Sequence, residues 1–362
     1  MPRPLLYRSV GLISSSSGDG VKAAVIDTDG RDIVHPLGGV SLSYDEPLRW
    51  RILEATQNDF PTTEILRLEK LLTNHHQKAF QKLAQTYPDE VRQAKLAGFH
   101  GHTLRHMPSE GLSLQIGNPW QLSEAIGLPV VSDFRRHDMA IGGEGAPLVA
   151  MFHWALMANE PRPALMLNLG SVASVTWLSK ENEIIAGDTG PGIGLLNEWC
   201  QEMAGLPYDL DGRLALEGKV DLGVVEEALA APFFQRPLPK AAGLHEFDHV
   251  DVASLKIADG AATLCAITVE AFAHAAKKLP DPPSLLWLTG SGSEHPLINR
   301  MLRSHFENVK NVSERGLNPH SMAAECFAWL AVRHVKRLPI TTPETTNCKS
   351  ADCAGFITNP LA

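Results

Sequence analysis

The chain has 362 residues, with 32 Lys+Arg against 41 Asp+Glu and a net charge of −9. At about 150 residues per domain this length predicts two domains, and 44% hydrophobic with 20% charged residues excludes a chain disordered throughout. The acidic balance excludes a protein built to coat nucleic acid or an anionic membrane, but not phosphate ligands, which backbone N–H groups bind without lysines.

Residues 10–13 and 21–26 read as strands joined by a small-residue turn over 14–20, and Asp29-Gly30 as a hairpin turn. Residues 64–87 carry helical periodicity, with Ile65, Leu68, Leu71, Leu72 and Phe80 on related faces. Residues 97–103 read as a strand ending in a loop. Asn118 is a cap and Pro119 the first turn of a short helix ending near Gly127. A buried strand over 129–134 leads into a loop rich in glycine at Gly142, Gly143 and Gly145. The apolar run 148–156 is broken by His153 and falls short of the ~20 residues a membrane span needs.

The second half opens with a strand over 164–169, the turn Gly170-Ser171 and a return strand over 172–178. Gly187 to Gly192 reads as a tight turn that presents Asp188. Helices are expected over 195–203, 224–230 and 253–278. A strand over 284–289 runs into Gly290-Ser291-Gly292, and 323–336 is an amphipathic helix. Prolines predict an irregular tail from Leu338. The alternation of strands and helices predicts an α/β fold. Two strand–turn–strand units suggest a duplicated architecture, each turn at the mouth of a cleft.

The N-terminus carries no apolar signal core, so a cytoplasmic protein is expected. The five scattered cysteines (Cys200, Cys265, Cys326, Cys348 and Cys353) fit reduced thiols. His100, His102 and His106 lie close together, but no carboxylate or cysteine joins them in ligand register.

Three loops carry chemistry. Ser14 to Gly20 offers small residues and hydroxyls to a phosphate, with Asp19 placed to hold Mg²⁺ or orient a hydroxyl; a plain polar turn fits the same residues. Asp188 suits a general base or a carboxylate near Mg²⁺, and equally a turn residue satisfying its own backbone. Gly290 to Gly292 allows flat approach of a nucleotide, although a lone Gly-x-Gly is weak evidence. Three such loops at strand ends together favour nucleotide-dependent phosphotransfer. Between them, Arg135 and Arg136 beside Asp133 and Asp138 suit a carboxylate or phosphate ligand, or charge pairing of Arg135 with Asp133 or Arg136 with Asp138.

In order along nearly the whole chain, these segments resemble the anhydro-N-acetylmuramic acid kinase family. The resemblance rests on Gly98-Phe99-His100-Gly101-His102-Thr103, Asp133-Phe134-Arg135-Arg136-His137-Asp138, Gly142 to Leu148, Leu167-Asn168-Leu169-Gly170, Asp188 to Gly192, Tyr208 to Gly212, Pro237 to Lys240 and Phe327 to Ala331. It implies a two-domain actin-like or sugar-kinase fold of ribonuclease H-like halves with a central interdomain cleft. The expected domains are 1–128 with 340–362, and 129–339. It implies a kinase that uses ATP and Mg²⁺ to open the 1,6-anhydro ring with water and phosphorylate O6, in cell-wall recycling, as a homodimer.

By the same resemblance Asp188 is the base. Ser15, Ser16, Ser17, Gly18, Asp19, Gly20, Val21 and Lys22 form the ATP phosphate loop, with Asp19 near Mg²⁺. Asn168, Gly170, Gly190, Gly192, Gly290 and Gly292 also face the nucleotide, and His100, Thr103, Arg135 and Asp138 the sugar. Departures from the family pattern are Ser15-Ser16 for Gly-Thr, Lys22 for an acid, His102 for Gln, Ser171 and Ser291 for Gly, Ser174 and Ile193 for Asn, and Ala323 for Glu. They leave open a related anhydrosugar kinase with another substrate, or a catalytically weak homologue acting as a binding module.

Overall fold

A computed structural model describes residues 5–15 and 18–361. Its strands are β1 (Tyr7–Ser14), β2 (Gly20–Thr28), β3 (Val34–Ser43), β4 (Leu96–Met107), β5 (Leu112–Ile116), β6 (Val130–Ser132), β7 (Ala164–Leu169), β8 (Val172–Leu178), β9 (Ile184–Pro191), β10 (Leu285–Thr289), β11 (Val309–Asn311) and β12 (Phe356–Thr358). The class is α/β, as the strand and helix alternation predicts. The strands form two sheets, and the chain divides into two compact units, each holding one of them.

The first sheet runs β3-β2-β1-β4-β6-β12, with β5 paired to β4. β1 is antiparallel to β2 and parallel to β4, and β4 is parallel to β6. Side chains alternate across a strand, so Val10 and Leu12 face one side and Gly11 the other. On the Val10 side, helix Thr62–Thr86 buries Leu68, Leu72, Thr73, His76, Ala79 and Leu83 at helical spacing. On the Gly11 side lies helix Met322–Val335. Gly11 and Gly98 are register partners on β1 and β4. A Cβ on Gly11 would overlap the Ala324 carbonyl, and one on Gly98 the Phe327 carbonyl. The paired glycines make a flat strip on which the helix backbone rests.

The second sheet runs β9-β8-β7-β10-β11. Its first three strands form an antiparallel meander, and β10 and β11 continue in parallel from β7. This is the same strand order and direction as in the first sheet, so the expected duplication is realised. Helix Ile257–Ala276, apolar on most of its surface, is buried against this sheet in a core with Trp177, Leu165, Leu167 and Leu286.

The first unit extends to Ala158 and resumes over His320–Pro343 and from Asn347; the second takes Asn159–Pro319 and Glu344–Thr346. The boundaries expected after 128 and at 340 fall elsewhere for two reasons. β6 pairs with β4, and helix Met322–Val335 packs on β1, β2 and β4. The expected irregular tail contains β12, paired antiparallel with β6.

Candidate functional site

In the first unit, β1 hands the chain to the turn that precedes β2. Ser15 N–H donates to the Gly20 carbonyl (3.0 Å) and Gly18 N–H to the Ser15 carbonyl (3.1 Å), which closes the turn. Gly18 takes the left-handed φ of +67°, so the glycine needed there sits three residues beyond Ser15. Ser16 and Ser17 lie outside the described residues. Asp19 is exposed, and its carbonyl accepts the Tyr44 N–H (3.3 Å). Val21 belongs to β2 with its side chain in the core, so only its backbone can meet a ligand. Lys22 is half-buried opposite Ser41.

Beneath the turn, Ser14 Oγ stands 2.7 Å from His102 Nδ1 and accepts the Tyr44 hydroxyl at 2.7 Å. Burial lowers His102 to about 4, so its ring is neutral. Tyr44 carried no sequence signal, because its partners lie far away along the chain.

Farther along β4, Arg135 Nε donates to His100 Nε2 (3.2 Å), and its Nη1 donates to the Gly145 carbonyl (2.7 Å). His100 is held neutral, well below the usual range, first by burial and then by the Arg135 charge. Its ring lies 4.5 Å from that of Phe327. Thr103 Oγ1 accepts Gln115 Nε2 at 3.4 Å. Asp138 is fully buried and accepts the Gly145 N–H at 2.8 Å. A Cβ on Gly143 would collide with its carboxylate. Arg135 and Asp138 thus brace one glycine loop. Arg136 forms an ion pair with Asp133 at 2.6 Å.

In the second unit, the three family blocks meet at one end of the sheet. Gly192 and Gly194 N–H donate to the Ser171 carbonyl (2.9 and 3.1 Å), Ile193 N–H to that of Gly170 (2.8 Å), and Gly292 N–H to that of Leu169 (2.9 Å). Asn168 Nδ2 donates to Ser174 Oγ at 3.5 Å. Gly290 has φ +89°, and a Cβ there would sit 2.8 Å from Asn168 Oδ1. A Cβ on Gly190 would sit 2.7 Å from that of Ala271.

Asp188 is not in a tight turn. It lies in edge strand β9, opposite Ser174 and beside a bulge. On its other side the 238–242 segment comes close enough that a Cβ on Gly187 would reach 2.6 Å from Leu238 Cδ2. Asp188 N–H donates to the Lys240 carbonyl (2.7 Å), and its Oδ2 accepts the Ala242 N–H (2.9 Å). Gly187 therefore admits a neighbouring chain segment. The carboxylate is buried and fixed in direction.

The sequence profile of the anhydro-N-acetylmuramic acid kinase family matches residues 7–360. The anhydro-N-acetylmuramic acid kinase of Acidiphilium cryptum is 39% identical over 360 residues, covering 97% of this chain and 98% of its own. That of Zymomonas mobilis is 36% identical, covering 93% and 96%. The chain belongs to the anhydro-N-acetylmuramic acid kinase family. A ROK family glucokinase from Streptomyces griseus, in complex with glucose and AMPPNP, covers 90% of this chain and 99% of its own at TM-score 0.42 and 12% identity.

Two departures from the anhydro-N-acetylmuramic acid kinase pattern have structural partners. Ile193, where the family has Asn, packs its Cγ2 over Gly292, leaving no room for a Cβ there. Glu325 follows Ala323 by two residues, about 200° around a helix, so it cannot occupy the face that Ala323 presents. It is buried instead against Ser321, whose Oγ donates to it at 2.6 Å.

Proposed function

We propose that this chain is an ATP-dependent kinase that opens 1,6-anhydro-N-acetylmuramic acid with water and phosphorylates its O6. The products are N-acetylmuramic acid 6-phosphate and ADP, in cytoplasmic cell-wall recycling, with the enzyme acting as a homodimer. The observation that carries this reading is Asp188, retained within a family match over nearly the whole chain and held by the Ala242 N–H.

Asp188 takes a proton from the water that attacks the anomeric carbon. The bond from that carbon to O6 breaks, O6 bonds to the γ-phosphorus, and the bond from that phosphorus to the ADP oxygen breaks. Backbone N–H groups of residues 15–22 cradle the phosphates. Asn168 and the close-packed Gly170, Gly190, Gly192, Gly290 and Gly292 present a rim with few side chains to the nucleotide. His100, Thr103, Arg135 and Asp138 shape the sugar side, Asp138 through the loop it pins.

Among the described residues no three His, Cys, Asp or Glu side chains converge as metal ligands. Mg²⁺ keeps several waters and binds through one or two carboxylates plus substrate phosphates, so the exposed Asp19 at the turn fits it. When bound, the ion offsets phosphate charge.

The test is ADP release from ATP and the anhydro sugar, beside a no-sugar control for idle hydrolysis. Asp188→Asn is expected to lower turnover by about 10²–10⁴ while calorimetry finds nucleotide binding intact. Equal turnover in variant and wild type, or matched loss of binding and turnover, would overturn the role of Asp188 as base.

A further inference from the structure

His102 stands where the family has glutamine. It is fully buried on β4. Its Nδ1 lies 2.7 Å from Ser14 Oγ, while its Nε2 is buried without a partner among the described residues. The Tyr44 hydroxyl donates to the same Ser14 oxygen at 2.7 Å.

A neutral imidazole carries one proton, so two arrangements are open. If Ser14 donates to Nδ1, the proton sits on Nε2 as a buried N–H with nothing to accept it. If Nδ1–H donates to Ser14, Oγ accepts two hydrogen bonds, one from His102 and one from Tyr44, which fills its acceptor capacity. Nε2 is then only an unused lone pair. Orphaned buried N–H donors are rarer than under-used acceptors, so the second arrangement is favoured. His76 does not reverse this. Its Nδ1 donates to the Leu72 carbonyl (2.7 Å), and its Nε2 also lacks a partner among the described residues.

In the second arrangement the Ser14 hydrogen points at neither His102 nor Tyr44. We propose that His102 is a positioning residue: its Nδ1–H, with the Tyr44 hydroxyl, takes up the acceptor positions of Ser14 Oγ and leaves the Ser14 O–H as a donor to a phosphate oxygen bound at the turn that follows β1. This rests on reading that turn as the nucleotide phosphate loop. Glutamine can either donate to Ser14 or accept from it, whereas Nδ1–H of histidine can only donate.

The experiment uses the full chain. Nitrogen-15 NMR of labelled histidine reads the tautomer directly and is expected to show His102 protonated on Nδ1; protonation on Nε2 would overturn the proposal. Calorimetric binding of Mg·ATP then compares wild type, His102→Leu and His102→Asn. Leucine removes the donor and is expected to weaken binding about tenfold, the worth of a hydrogen bond to a charged group. Asparagine places an N–H near the Nδ1 position and is expected to recover most of that loss. Unchanged affinity in His102→Leu, or equal weakening in both variants, would overturn it. None of these readouts needs the anhydro sugar. A wild type that binds Mg·ATP but releases no ADP would therefore defeat the proposed function and leave this test standing.

Discussion

Glu325 illustrates what a single buried group does to the pH response. Burial raises its carboxyl to about 7, and the hydrogen bond from Ser321 only partly opposes that. In the unfolded chain the same group titrates near its ordinary value of about 4.3. The folded state therefore holds a proton that the unfolded state has released. The stability tied to that proton is complete below the unfolded value and is lost as pH rises through 7. At about 1.4 kcal/mol per pKa unit the effect is at most roughly 4 kcal/mol. Glutamine mimics the protonated form and does not titrate. Glu325→Gln is expected to unfold at higher urea than wild type at about pH 8 and to lose most of that advantage by about pH 5. A variant less stable than wild type at the higher pH would contradict this.

Among the elements, the helix Met322–Val335 and the strip beneath it make the sharpest prediction. Because backbone meets backbone at Gly11, neither side can retreat into a rotamer. Gly11→Ala is expected to cost about 3 kcal/mol, the upper part of the overpacking range. Gly111 also has positive φ but faces open space, so Gly111→Ala is expected to cost only about 1 kcal/mol of backbone strain. Urea denaturation of the two variants checks the ordering.

The same scale shows what the sequence made legible. Central strands β1, β2, β4, β7, β8 and β10 read correctly, as did the helices with strong apolar stripes. What escaped was mostly at sheet edges. β3 contains Pro36, Gly38 and Gly39, β9 contains Gly187, Gly190 and Pro191, and each lies at the edge of its sheet. An edge strand needs only one row of ladder bonds, so it tolerates residues that read as breakers. Helix Glu46–Gln57 escaped because it buries only Ile52 and Ala55, too few to set a period. The glycine-rich site blocks were visible as composition. Tyr44 over Ser14 and Ala242 on Asp188 were not, because each contact joins segments distant in sequence.

For the molecule as a whole, the −9 charge governs how nucleotide affinity responds to salt. A basic site loses affinity as ions screen its attraction for phosphate. An acidic protein that binds phosphate through short-range N–H contacts has little such attraction to lose. The KM for Mg·ATP is expected to stay flat or fall as salt rises from about 50 to about 200 mM. A steep rise would point to a lysine- or arginine-based site instead.

The placement of helix Met322–Val335 in the first unit also fixes an order of events during synthesis. The ribosome completes residues 159–319, and with them the second sheet and its helix Ile257–Ala276, before it reaches residue 322. Until then Gly11 and Gly98 remain uncovered and β6 lacks β12. Domains usually fold in the order in which they are made. Here the unit begun first is finished last, and the nascent chain carries a half-covered sheet through most of its own translation.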